Sequence, residues 1–194
     1  MSRNLRDVFV LLAAILIGAC WKSTALGATI EGKPPVPKLE SWVNDEAAVL
    51  SAEDQARLVK LLKNYRDETK HPIVVLIVPT LGDETIENFS HRTFSAWRLG
   101  RKGINDGILV CLAMKERQVR IALGTGMERY ISNAEALKII EEEMTPAFKR
   151  GDFAGGLEKG LKRLMAEGRR FVAANTIWSR QGGFAFSITE GKWV

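Results

Sequence analysis

Apolar residues recur with a helical period in four segments of the chain. These segments begin near Ser51, Asp83, Ser132 and Asp152. Ser51 and Ser132 each have an acidic residue three positions later, which is the pattern of a capping box. Pro146 is expected to end the third helix, because proline disrupts a helix interior. The pattern therefore predicts four amphipathic helices.

Two continuous apolar runs and one alternating run lie between the predicted helices. Ile73–Val78 and Ile108–Ala113 are apolar throughout, which is typical of strands buried on both faces. Residues 119–123 alternate between apolar and other side chains, which is typical of a strand with one covered face. Because only a polar turn at residues 115–117 separates the last two runs, we expect them to form an antiparallel hairpin.

The order helix, strand, helix, strand, strand, helix, helix predicts an α/β fold with a small mixed sheet and helices against its faces. The strand–helix–strand unit should make a right-handed crossover, so that its two strands are parallel. We assign residues 41–172 to this domain. Residues 28–40, rich in proline and charge, are predicted to form an extended linker that carries the domain away from the N-terminus. Residues 173–194 show no periodicity, and we expect a partly ordered C-terminal tail.

Residues 1–27 have the pattern of a signal peptide. Two arginines precede an apolar stretch at residues 8–17, which is shorter than the roughly 20 residues of a membrane-spanning helix. Cleavage at the end of this segment would release the protein. Alternatively, residues 17–20 resemble a bacterial lipobox, in which Cys20 becomes the acylated first residue. We therefore expect an exported protein that is periplasmic or anchored by an N-terminal lipid, with any membrane tether at the N-terminus.

Composition and charge exclude several classes of protein. A length of 194 residues suits one domain, and 46% hydrophobic with 26% charged residues is typical of a globular chain. A mean hydropathy of −0.06 excludes a polytopic membrane protein. The formal net charge is +5, but cationic and acidic residues are interspersed. This mixed pattern indicates a solvated surface and no nucleic-acid partner.

Cysteine and histidine provide few candidates for catalysis. If Cys20 is removed or acylated, Cys111 has no partner for an internal disulfide, and its apolar neighbours predict a small buried side chain. The two histidines, His71 and His91, lack the spacing of a metal pair and are expected to be structural. The sequence contains neither a G-x-S-x-G nucleophile motif nor a Walker A motif.

Loops at one end of the predicted hairpin contain the remaining candidates. Asn105 and Asp106 come directly before one strand, and Glu128 follows the other in a segment with two glycines. Because the entry of the first strand and the exit of the second meet at one end of a hairpin, we expect Asp106 and Glu128 to converge. Carboxylate, amide and carbonyl oxygens are the ligands that Ca²⁺ and Mg²⁺ prefer. The same residues are also common in ordinary turns, and this alternative stays open.

Four ordered motifs resemble the TPM domain, a family formerly described as a domain of unknown function. They occupy residues 42–51, 96–109, 119–128 and 146–153, and the resemblance covers roughly residues 40–168. It implies a three-layer α/β/α sandwich. Bacterial members are usually exported or membrane-tethered, and plant members are linked to acid phosphatase activity and photosystem II repair.

The resemblance also implies that acidic loop residues bind a divalent metal, here Asp45, Asp106 and Glu128. Two positions depart from the family pattern, because Asn105 stands where an acid is frequent and Thr125 stands where an aromatic residue is frequent. The predicted topology conflicts with one ligand, since the first helix should begin at the end of the sheet opposite Asp106. Asp45 would then reach the metal only through an irregular segment, or would belong to a second site.

Two functional hypotheses follow. The first is a binding module that holds Ca²⁺ or Mg²⁺ and recognises an envelope or membrane protein during membrane-protein assembly or turnover. The second is a metal-dependent acid phosphatase, in which the ion polarises a phosphomonoester and lowers the pKa of a bound water. The sequence does not place an arginine where it would bind the phosphate group, since Arg101, Lys102 and Arg129 are only neighbours of the loops. The binding module needs less strict geometry, and we take it as the working hypothesis.

Overall fold

A five-stranded mixed sheet forms the centre of the computed structural model, which describes residues 32–128, 130–175 and 186–192. The strands are β1 Val43–Asp45, β2 Ile73–Val78, β3 Ile108–Ala113, β4 Gln118–Gly124 and β5 Phe186–Lys192. They lie side by side in sequence order. β1, β2 and β3 are parallel, whereas β4 is antiparallel to both β3 and β5. The predicted parallel unit and hairpin are therefore confirmed.

The helices are α1 Ala52–Thr69, α2 Ile86–Trp97, α3 Asn133–Ile139, α4 Thr145–Phe148 and α5 Phe153–Asn175, and a π-helical turn, Ile140–Met144, joins α3 to α4. Ser51 and Ser132 each accept a hydrogen bond through Oγ from the backbone N–H three positions later, at 3.1 Å. These caps confirm two predicted helix starts. Thr85 caps α2, which therefore begins later than the predicted start near Asp83.

Helices cover both faces of the sheet, which confirms the α/β/α sandwich. On one face, Ile86 and Phe89 of α2 belong to a buried cluster with Leu109 and Cys111 of β3. On the other face, α1, α3, α4 and α5 pack in a second cluster that includes Val110. Successive side chains of β3 alternate between the two clusters, as strand geometry requires. Burial raises the pKa of the Cys111 thiol to about 12, so it stays protonated at neutral pH.

The sequence pattern does not predict two of the strands. β1 is only three residues long. β5 lies within residues 173–194, where we expected a partly ordered tail, and pairs with β4 along its whole length. Pro146 does not end the third helical segment, because it lies in the first turn of α4. The helical run from α3 through the π-helical turn therefore continues past Pro146.

Residues 32–40, which we call the strap, lie against α2. The backbone N–H of Asp83 donates to the Gly32 carbonyl oxygen at 3.1 Å. Side chains of α2 then hold two proline carbonyl oxygens of the strap at 2.8 Å, through Arg92 Nη2 and Trp97 Nε1. This part of the predicted linker is therefore bound to the domain instead of carrying it away from the N-terminus. Among the described residues, no helix has both the length and the apolar character needed to cross a membrane.

Candidate functional site at the start of β2 and β3

The loop before β3 and the loop after β4 meet at one end of the hairpin. The backbone N–H of Gly126 donates to the Asn105 carbonyl oxygen at 3.0 Å, and that of Gly124 donates to Gly107 at 2.9 Å. A Cβ atom on Gly126 would collide with the carbonyl oxygen of Ile104, and one on Gly124 would collide with that of Asn105. Glycine is needed at both positions because the two backbones approach too closely for a side chain.

The carboxylate of Asp106 points into the domain and is held by Arg101. Asp106 is fully buried. Its Oδ1 accepts a hydrogen bond from the Arg101 backbone N–H at 2.8 Å. Its Oδ2 accepts from Nε and Nη2 of the Arg101 guanidinium, at 2.7 and 2.6 Å. Both carboxylate oxygens are therefore engaged by a residue of the same loop, and one of them by a paired, charge-assisted contact.

A buried histidine lies beside this pair. The His71 side chain is fully buried, with Nδ1 3.9 Å from Asp106 Oδ2, and its ring lies edge-on to that of Tyr65 at 5.7 Å. Burial lowers the pKa of His71 to about 4; the Asp106 charge opposes this shift and the Arg101 charge adds to it. The imidazole is therefore neutral at pH 7. In the sequence, His71 stands just before β2, and because β2 and β3 are parallel this position lies near the start of β3. No other sequence feature places His71 there.

Asp45 lies at the opposite end of the sheet from this cluster. It is in register with Ile77 near the end of β2, whereas β3 starts opposite Ile73. Its carboxylate accepts hydrogen bonds from the backbone N–H groups of Ala47 and Leu50, at 3.2 and 2.8 Å. Asp45 therefore organises the loop before α1.

The side chains at the hairpin end do not fit a divalent ion as they are arranged. Asp106 has both carboxylate oxygens bound by Arg101. Asn105, with a left-handed backbone (φ 55°), and Glu128 are partly exposed in two different loops. Across the residues that the structure describes, no group of three or more His, Cys, Asp or Glu side chains is placed to hold a metal. Binding of Ca²⁺ or Mg²⁺ stays a prediction.

A cavity of about 510 Å³, which we call the cationic pocket, lies where β2 begins and α1 and α2 end. Its charged lining is mostly positive: Arg66, Lys70, Arg98 and Arg101, with Glu40 from the strap. Trp42 and Trp97 provide aromatic walls. The sequence alone does not predict this pocket, because its residues come from four separate segments. The only sequence feature that indicates a cationic site here is the set of basic residues near the ends of α1 and α2.

An outer cavity of about 520 Å³ shares residues 98–101 with the cationic pocket and adds Lys102, His91 and Asn105 to the lining. Residues 98–101 therefore line two openings at once. The predicted candidate Asn105 contributes to this second opening.

The cations of the two cavities differ in their availability to a ligand. The Arg66 guanidinium lies 5.7 Å from the centre of the Trp42 ring and also donates to the carboxylate of Asp67 at 3.0 Å. Arg101 is held by Asp106. Arg98 and Lys102, in contrast, are exposed and form no ion pair within the described part of the chain. These two side chains can meet an anion without first breaking an ion pair to another described residue.

Comparison with known proteins assigns the chain to a family. The family model described as the TPM domain matches residues 43–167, more than half of the chain. The NMR structure of the N-terminal domain of a P. gingivalis protein is similar, with a TM-score of 0.60 and 29% identity over 65% of this chain and 80% of that one. BA42 from the psychrophilic bacterium Bizionia argentinensis, also solved by NMR, shares the fold with a TM-score of 0.56 and 17% identity over 63% of this chain and 83% of its own. No protein of curated function matches. The chain therefore belongs to the TPM domain family.

Proposed function

We propose that this protein is an exported binding module of the TPM family, and that its cationic pocket recognises an anionic group of an envelope or membrane partner. The supporting observation is that Arg98 and Lys102, two exposed cations that form no ion pair with any residue the structure describes, lie beside a pocket with two tryptophans. Guanidinium groups bind phosphate and carboxylate through paired hydrogen bonds. Indole rings provide apolar contact area next to them. An anion attached to an apolar body suits both features.

In this proposal, Asp106 is a positioning residue. It is buried and bonded to both the backbone and the guanidinium of Arg101, so it fixes the loop that carries Arg101 and Lys102. Loss of the carboxylate would leave a guanidinium without its partner at the wall of the pocket. The role of Asp106 in binding is therefore indirect and needs no ion at Glu128.

Pyrophosphate binding to the purified full-length chain, measured by calorimetry at low salt, tests the pocket. Combined substitution Arg98→Gln and Lys102→Gln should weaken binding about tenfold or more, because contacts to two charged groups are lost. Lys138→Gln with Lys159→Gln removes the same charge from exposed positions on α3 and α5 and should leave the affinity unchanged. Equal weakening by both pairs would show that only net charge matters and would remove the basis for a specific pocket.

Hydrolysis of a phosphomonoester is the alternative function, since such a substrate carries the same anionic group. Turnover of p-nitrophenyl phosphate and the thermal midpoint should be measured after metal removal and after addition of Ca²⁺, Mg²⁺ or Mn²⁺. We expect turnover no higher than the blank. Metal-dependent turnover that is lost in both Asp106→Asn and Glu128→Gln would establish a metal-dependent phosphatase and contradict the binding module.

A further inference from the structure

We infer that the surface around the cationic pocket docks on the anionic headgroups of a lipid bilayer. This inference rests on the proposed function and names its partner. The surface, which we call the docking face, consists of residues 98–104 and of residues 38–40 at the end of the strap. The two segments lie next to each other, because residues 39–40 of the strap and residues 98–101 line the same cavity.

Two apolar side chains are exposed on the docking face. Leu39 is 44% exposed and Ile104 is 37% exposed. Among the residues with described side chains, no other large hydrophobic residue is as exposed. Leu39 lines the cationic pocket, and Ile104 lies in sequence between Lys102 and Asn105 of the outer cavity. Single exposed apolar residues are ordinary. Here both occur on the face that also carries Arg98 and Lys102, which have no ion pair among the residues that the structure describes.

Three exposed cations lie in the same two segments as these side chains. Lys38, Arg98 and Lys102 are exposed, and Glu40 is the acidic neighbour that lines the pocket. Proteins that lie on membranes combine apolar insertion with attraction to anionic lipid, and this face has both components. Each cation near an anionic bilayer increases affinity by about fivefold. The combined chemistry therefore suits a headgroup layer better than a purely acidic protein segment, which would use the charges alone.

The strap runs along α2 from Gly32, beside Asp83 before the start of α2, to residues 39–40 in the cationic pocket at the end of α2, so the N-terminal segment joins the domain at the opposite end of α2 from the docking face. Its contacts with Arg92 and Trp97 fix it along α2, and its last residues enter the cationic pocket. The apolar stretch at residues 8–17 and Cys20 precede it in the sequence. A single N-terminal attachment gives only reversible membrane binding, and a cationic patch is an effective second signal. Docking by this face would supply that second signal.

Amide hydrogen exchange of the full-length chain on vesicles tests this inference directly. Phosphatidylcholine vesicles with and without phosphatidylglycerol are compared, so that attachment through the N-terminal segment is present in both. We expect residues 98–104 to become protected only when phosphatidylglycerol is present, and high salt should remove the protection. Protection that is equal on both vesicles, or absent from both, would overturn the inference.

Two pairs of substitutions separate the charged and apolar contributions. Arg98→Gln with Lys102→Gln should reduce the phosphatidylglycerol-dependent binding about 25-fold, whereas Lys138→Gln with Lys159→Gln should leave it unchanged. Leu39→Ser with Ile104→Ser should weaken vesicle binding without changing its salt dependence. An unchanged affinity in the first pair would contradict headgroup docking.

Failure of this inference can be distinguished from failure of the proposed function. If the vesicles give no protection but pyrophosphate still binds in a manner that depends on Arg98 and Lys102, the pocket binds anions and its partner is not a bilayer. If polyglutamate protects residues 98–104 and the vesicles do not, the partner is an acidic protein segment. If neither pyrophosphate nor vesicles bind, both proposals are wrong.

Discussion

The neutral state of His71 makes folding sensitive to mild acid. Burial lowers the pKa of His71 to about 4 in the folded chain, compared with an ordinary value of 6.5. Between these values the unfolded chain binds a proton that the folded chain excludes, so stability is full above the upper value and falls as the pH decreases. We expect the free energy of unfolding to decrease by about 2 kcal/mol from about pH 7 to about pH 5. Urea unfolding at the two pH values measures this change.

The two histidines provide a matched comparison for this prediction. His91→Gln, at an exposed position, should preserve the pH dependence, whereas His71→Gln should remove most of it. Asp54 and Glu68 have pKa values lowered by their hydrogen bonds to Ser51 and Arg169, and they therefore titrate below this pH range. If the His71 variant does not fold, NMR titration of the wild-type imidazole decides the question. A midpoint near 6.5 would contradict the prediction.

Strand pairing determines where Asp106 lies, but it does not determine where its side chain points. The meeting of the two loops follows from strand pairing, and the structure has the Gly126–Asn105 hydrogen bond that results. The direction of the Asp106 side chain does not follow from pairing. It depends on a loop that turns through left-handed residues, Asn105 (φ 55°) and Gly103 (φ 79°), and returns the carboxylate to Arg101. In the sequence alone, an Arg five positions before an Asp does not indicate that the two side chains will pair.

At the scale of elements, α5 packs closely on the π-helical turn and α4 because glycine faces them. A Cβ atom on Gly156 would lie 2.6 Å from a ring carbon of Phe148 and 3.0 Å from the Met144 carbonyl oxygen. Alanine normally stabilises a helix interior relative to glycine by about 1 kcal/mol. Overpacking in a tight interface costs about 1–3 kcal/mol. At this position the steric contact, rather than helix propensity, should decide whether alanine raises or lowers the free energy of unfolding.

We therefore expect Gly156→Ala to decrease the free energy of unfolding by about 1–2 kcal/mol, measured by chemical denaturation. Lys159→Ala on the exposed side of α5 is the control and should change stability by less than about 0.5 kcal/mol. A Gly156 variant that is more stable than the wild type would show that Phe148 moves away without cost.

Elements with a long, regular pattern could be predicted, and the others depend on their neighbours. Ile73–Val78 and Ile108–Ala113 have the same bounds in sequence and structure. The π-helical turn Ile140–Met144 retains buried apolar residues at its ends, so it cannot be distinguished from an α-helix by periodicity. β1 is a strand only because Val43 pairs with Val75. Three residues are too few for a period of two to be visible.

At the scale of the whole molecule, β5 protects the edge of the sheet. It pairs with β4 from Gln118 to Gly124. A truncation after Asn175 would leave β4 as an edge strand with unpaired backbone groups, which favours association with other chains. We expect the free energy of unfolding to fall by about 2 kcal/mol or more, because several backbone hydrogen bonds are lost. Chemical denaturation and sedimentation velocity measure the two effects.

Removal of residues 193–194 alone is the matched control, since these positions follow β5. This shorter truncation should preserve both the stability and the sedimentation behaviour of the full-length chain. If the longer truncation behaves in the same way, β5 makes no energetic contribution to the sheet.

The sequence predicted the class of fold more completely than the site. The α/β/α arrangement follows from the order of periodic segments and from four motifs spread along the domain. The cationic pocket, in contrast, combines Trp42, Arg66 and Arg98, which are distant in sequence and meet only through packing of α1 and α2 around the sheet. The strap reaches the pocket through Trp97, and neither its proline content nor its charge predicts that contact.

The bound strap also limits how far the domain could extend from an anchor. If Cys20 carries a lipid, only residues 21–31 separate that lipid from the part of the chain fixed on α2. Fully stretched, such a segment spans about 40 Å, whereas a chain free through residue 40 would span about 70 Å. The domain would then stay within a thin layer above the bilayer. Lengthening or shortening residues 21–31 would change which molecules the domain could reach.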